Sequence, residues 1–118
     1  MQQILLRVVC KLSINQRKFV AEVIGTFIVV VFATSSVVID AKMHGVLGVL
    51  FIAFAPFVGV AIGVYMFGKV SMAHFNPAVT VVTGHIRRNQ ICYYFAAEII
   101  GALLASILSN ILLVMKLI

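Results

Sequence analysis

His74, Asn76 and Thr80 fall together in the stretch His74-Phe75-Asn76-Pro77-Ala78-Val79-Thr80, and two carboxylates, Glu22 and Glu98, lie inside apolar runs elsewhere. In a chain of 118 residues that is 64% hydrophobic and only 10% charged, these are the side chains whose presence needs a chemical reason. Covalent catalysis is a poor match. No Ser-His-Asp set, metal-ligand cluster or phosphate-binding glycine loop can be assembled from the sequence. His74 and His85 stand too far apart to argue a metal site, and His85 beside Arg87 and Arg88 reads as a solvated end. No enzyme activity, cofactor or metal is expected. What remains is hydrogen bonding, since an amide, an imidazole and a hydroxyl gathered around a proline can pass a polar solute without changing it.

The elements that position these groups are membrane-spanning. A soluble domain averages about half apolar and a quarter charged residues, far from this composition. Crossing a bilayer takes about 20 apolar residues. Three runs qualify, at about 19–39, 44–67 and 90–115. The net charge of +6 does not point to nucleic acid, because the basic residues sit at the borders of the apolar runs instead of forming one face. Arg7, Lys11, Arg17 and Lys18 precede the first run, and Lys69, Arg87 and Arg88 lie between the second and third, leaving only Lys42 and Lys116 elsewhere. The positive-inside rule then puts residues 1–17 in a cytoplasmic tail and the C-terminus outside. Cys10 and Cys92 fall on that cytoplasmic side and read as unpaired thiols. Small residues repeat every four positions as Ala97, Gly101, Ala105 and Ser109, as Gly59 and Gly63, and as Ala21 and Gly25, a spacing that allows close helix packing in lipid.

A fourth apolar piece contains Pro77 and is too short to span. Asn76 is a favourable N-cap, Pro77 suits the first helical position, and Gly84 supplies a stop, so the pattern predicts a half-helix over about 77–84. At 1.5 Å per residue it covers about a third of the hydrocarbon thickness. With Val79, Val81 and Val82 it lacks a polar face for the surface, which argues that it dips into the membrane. Non-helical backbone before it must then lie against protein or a water-filled cavity. Carbonyls of Met72, Ala73, His74 and Phe75, the Asn76 amide and the positive end of the helix dipole would line that cavity, a set suited to a neutral solute and hostile to cations. A membrane carboxylate is costly and usually meets a donor, so Glu22 and Glu98 are expected to brace the loop. The weaker alternative is proton transfer.

AHFNPAVT followed by this half-helix resembles the first Asn-Pro-Ala box of the aquaporin (major intrinsic protein) family. Ala21-Glu22 with Gly25-Thr26-Phe27, and Ala96-Ala97-Glu98-Ile99-Ile100-Gly101-Ala102, resemble the family's first and third helices. The likeness covers about residues 18–115. It implies an all-α membrane fold of three spans and one re-entrant half-helix, half of a fold built from two inverted repeats. It also implies a homotetramer in the plasma membrane that passes water or a small neutral solute. Asn76, Pro77 and Ala78 would form the box, Met72, Ala73, His74 and Phe75 the solute path, and Glu22 the loop support.

Against that pattern, Met72 stands where the family usually has Gly, and Glu98 where it has Gln. Pro56, followed by Phe57, stands where water-selective members carry an aromatic filter residue, leaving the solute open. No second box or following Arg is present. Three spans and one half-helix supply half of a lined pore, so this chain is expected to conduct poorly alone. The alternative expectation is a non-conducting subunit that assembles with a full-length channel or another three-span half.

Overall fold

Long runs of Val, Ile, Leu and Phe leave the backbone no water to bond with in a bilayer, so each run must satisfy its own N–H and C=O groups as a helix. The computed structural model describes residues 13–115 together with Ile4. Most of the expected tail 1–17, Cys10 and Lys116 lie outside the described residues. Within 13–115 the chain forms α1 (Ile14–Lys42), α2 (Gly48–Ser71), α3 (Pro77–Thr83) and α4 (Arg88–Met115). The three long helices are each long and apolar enough to cross a membrane. The architecture is that of an all-α integral membrane protein.

Each boundary has a local cause. Ser13 and Gln16 form a capping box in which Ser13 N–H donates to Gln16 Oε1 at 2.9 Å and Gln16 N–H to Ser13 Oγ at 3.4 Å. This starts α1 at Ile14, well before the apolar run at Phe19, so residues 14–17 of the expected tail are helical. At the other end, α2 starts at Gly48 instead of His44. His44, Gly45 and Gly48 all have positive φ, and Gly48 N–H donates to Asp40 Oδ1 at 2.8 Å, which ties a turn across the end of α1. Pro56 sits inside α2 without ending it, although its missing N–H leaves one carbonyl of the preceding turn without its usual donor.

α1 is the central helix, packed against α2 on one side and α4 on the other, and α3 lies on α4. The small residues are what bring the backbones together. A Cβ added at Gly59 would come within 3.2 Å of Val29 Cα and Phe32 Cβ on α1. One added at Gly101 would collide with the Val23 carbonyl oxygen and meet Phe27 N at 3.1 Å. Ala97 and Ala105, one turn to either side of Gly101, are completely buried. Ser109 continues the same face and shares a hydrogen bond with Thr34 of α1 at 2.6 Å.

Because the obstacle at Gly101 is backbone, it cannot rotate away. Gly101→Ala is expected to destabilise the chain by about 1–3 kcal/mol, the usual range for overpacking. Ala102→Gly, one position round on α4, should cost at most about 1 kcal/mol of helix propensity. Thermal unfolding in detergent of the two variants and the wild type checks the contrast.

Candidate functional site

The chain reverses between α2 and α3 through five residues of unusual backbone. Met72 closes α2 in the left-handed region at φ 70°, Ala73 follows at φ 52°, and Phe75 lies at φ 54°. Left-handed geometry costs a residue with a Cβ about 1–2 kcal/mol, so something else must hold the loop. Most of that support comes from Glu22, which is fully buried on α1. Its Oε1 accepts from His74 N–H at 3.1 Å and from Ser71 Oγ at 2.6 Å, and its Oε2 accepts from Phe75 N–H at 2.7 Å. Ser71 Oγ in turn accepts from Ala73 N–H at 3.2 Å, and Met72 N–H donates to Gly68 O at 3.1 Å.

Every amide N–H from Met72 to Phe75 is therefore turned into the protein. All peptides here are trans, and a trans peptide points its C=O opposite to its N–H. The carbonyls of Met72, Ala73 and His74 accordingly point away from Ser71 and Glu22. The Phe75 side chain is buried. The ring fills the notch between Gly25 of α1 and Gly63 of α2, where an added Cβ at either glycine would overlap it.

Asn76 then caps α3, its Oδ1 accepting from Ala78 N–H at 2.8 Å. That leaves the Asn76 amide NH2 available as a donor on an exposed residue. Pro77 takes the first helical position, and Gly84, at φ 62°, ends the helix, so α3 covers 77–83. The underside of α3 is a polar seam. Thr80, 1% exposed, donates to Glu98 Oε1 at 2.6 Å and contacts His74 Nδ1 at 3.1 Å. Thr83 Oγ1 lies 3.5 Å from His74 Nε2. The His74 ring tilts against Tyr94, with centroids 5.4 Å apart, and Tyr94 Oη donates to the Ser71 carbonyl at 2.7 Å. Glu98 lies ten residues into α4, about 15 Å along its axis. The start of α3 thus sits far down α4, while Gly84 lies only four residues before Arg88.

Of the candidate residues, Glu22, Met72, Ala73, His74, Phe75, Asn76, Pro77, Ala78 and Glu98 come together in this one assembly. Pro56 and Phe57 do not. They lie in the other half of α2, fifteen residues or about 22 Å before Ser71 in the case of Pro56. The exposed Phe57 packs on Phe54 at 5.6 Å between ring centroids. Ser71 and Tyr94 are partners that the sequence reading left out, and Thr80, noted there for its hydroxyl, proves to be the partner of Glu98. Tyr94 was within reach, since it precedes Glu98 by four residues and shares its helix face. Ser71 carried no such signal.

The model of the major intrinsic protein family matches residues 10–116. The chain belongs to this family. Among relatives, it is 41% identical over 93 residues to glycerol uptake facilitator protein-like 6 of Lactiplantibacillus plantarum, covering 76% of this chain and 41% of that protein. It is 34% identical to aquaporin NIP1-1 of Oryza sativa subsp. japonica, over 76% of this chain and 33% of the relative. It is also 34% identical to aquaglyceroporin-3 of Trypanosoma brucei brucei, over 81% of this chain and 32% of the relative. The chain thus spans about a third to two fifths of the length of these members of the major intrinsic protein family.

Two substitutions test the loop. Met72 is 55% exposed and left-handed, so Met72→Gly sheds backbone strain at little packing cost and should stabilise the chain by up to about 1 kcal/mol. Glu22→Gln keeps the shape but turns an NH2 toward donors, and should cost about 2–4 kcal/mol. Melting temperatures in a common detergent, rising for the first and falling for the second, check both.

Proposed function

We propose that this chain supplies one half of a membrane channel for the passive passage of water or a small neutral solute such as glycerol. The observation that carries the reading is the loop 72–76. Its N–H groups are consumed by Glu22, Ser71 and Gly68, so the backbone offers acceptors on the opposite side, followed by the Asn76 amide as a donor. Successive acceptors and a fixed donor replace the hydrogen bonds a neutral solute leaves in water, and they offer no counter-charge to hold an ion. The names of the relatives support the same solute class, since they include a glycerol uptake facilitator protein and aquaporins.

In this reading Asn76, Pro77 and Ala78 present the donor end. The carbonyls of Met72, Ala73, His74 and Phe75 form one wall of the path, and Glu22 and Glu98 hold that wall in place. Pro56 and Phe57 belong to the far half of the path, where they would bear on selectivity. Three long helices and one half-helix enclose the solute on one side only. A second three-span half of opposite orientation closes the path, within an oligomer of the tetrameric kind. The gathering of Arg17, Lys18, Lys69, Arg87 and Arg88 towards one side supports a loop entrance on the cytoplasmic side of the plasma membrane, with the C-terminal end of α4 outside.

Stopped-flow swelling of lipid vesicles tests the proposal. Vesicles holding this chain alone should show water and glycerol permeability near the lipid background. Adding the C-terminal half of an aquaglyceroporin relative should raise it. Asn76→Asp in this chain should abolish the gain, because aspartate keeps the cap but loses the NH2 donor. Robust flux through this chain alone, lost on Asn76→Asp, would overturn the need for a complementary half.

A further inference from the structure

The two carboxyls that brace the loop are not equally provided for. Glu22 receives three hydrogen bonds, two of them from backbone amides. Glu98 is equally buried, at 1% exposure, yet accepts one hydrogen bond at Oε1, from Thr80. Its Oε2 is buried and has no donor. Glu22 belongs to the same cluster, since it accepts from His74 N–H, and the His74 ring contacts Thr80, which donates to Glu98. The titratable groups of the cluster are Glu22 from α1, His74 from the loop and Tyr94 from α4 itself, while α3 contributes the hydroxyls of Thr80 and Thr83. Among the described residues, no Lys or Arg is bonded into the cluster.

Two ionised carboxylates in one buried site without a cation repel each other, and a carboxylate oxygen with no donor forfeits its hydration for nothing. A proton resolves both problems if it sits on the oxygen that lacks a partner. We propose that Glu98 is a proton-binding site. It is held as a neutral carboxylic acid with its proton on the partnerless Oε2, while its carbonyl oxygen accepts from Thr80. Thr80 has one hydroxyl hydrogen and gives it to Glu98, so towards His74 Nδ1 it can only accept. The site stands on the contacts of the cluster and does not depend on solute passage.

The sequence makes the test clean, because Glu22, Asp40 and Glu98 are its three acidic side chains. Infrared spectroscopy of the full chain in lipid at neutral pH should show the C=O stretch of one protonated carboxylic acid, moving on exchange into D2O and missing in Glu98→Gln. Absence of the band from the wild type overturns the proposal. So does a band that survives in Glu98→Gln and disappears in Glu22→Gln.

Discussion

A backbone amide in a membrane has no water to fall back on, and the loop between α2 and α3 depends on how that constraint is met. The answer is one carboxylate. Glu22 gathers the N–H groups of His74 and Phe75 and the hydroxyl of Ser71. A buried amide without a partner costs about 1–3 kcal/mol, so the loop cannot relax into another course without losing these bonds. The left-handed residues Met72, Ala73 and Phe75 are tolerated for the same reason. The burial of Glu22 is in turn made worthwhile by the three donors it receives, because an ionised group out of water must be fully bonded. Loop and carboxylate stabilise each other, and neither arrangement would persist alone.

The packing of α1, α2 and α4 serves that exchange. Glu22 reaches the loop because α1 runs between the other two long helices, and α1 approaches them closely because Gly59 and Gly101 have no side chain in the way. Phe75 uses the same absence from the opposite direction, placing a ring where Gly25 and Gly63 leave room. The glycines therefore do two different things. Gly59 and Gly101 bring helix backbones together, whereas Gly25 and Gly63 open a socket for a loop side chain. A spacing of four residues is common to both uses, so spacing alone could not distinguish them.

That distinction marks how far the sequence could be read. Hydrophobic runs with basic borders identify three spans, and Asn76, Pro77 and Gly84 mark the half-helix almost to the residue, because capping and proline geometry are local. The position of Glu22 beside the loop was also within reach, since a membrane carboxylate requires a donor. The start of α1 at Ile14 was not, because the capping box of Ser13 and Gln16 lies in a polar stretch that hydrophobicity ignores. Nor was the inward turn of the Phe75 side chain, which depends on glycines fifty and twelve residues away. Ser71 escaped for a related reason: a single hydroxyl in an apolar helix becomes a partner only once the fold brings a carboxylate to it.

Met72 and Glu98 are two of the points where the chain departs from the pattern its family resemblance implies, and the structure assigns them opposite physical characters. Met72 occupies a left-handed position that glycine would fill without strain, yet its side chain is half exposed and its backbone amide bonds as any helix end would. Its cost is confined to one residue. Glu98 has ordinary helical geometry and perfect burial, but it puts a second carboxyl into a cluster already organised around the first. Its cost is shared by Glu22, Thr80 and His74, because the protonation of any one fixes what the others can donate. A change that strains one backbone residue can be absorbed where it occurs. A change in the number of protons in a buried network cannot, because every member of the network shares it.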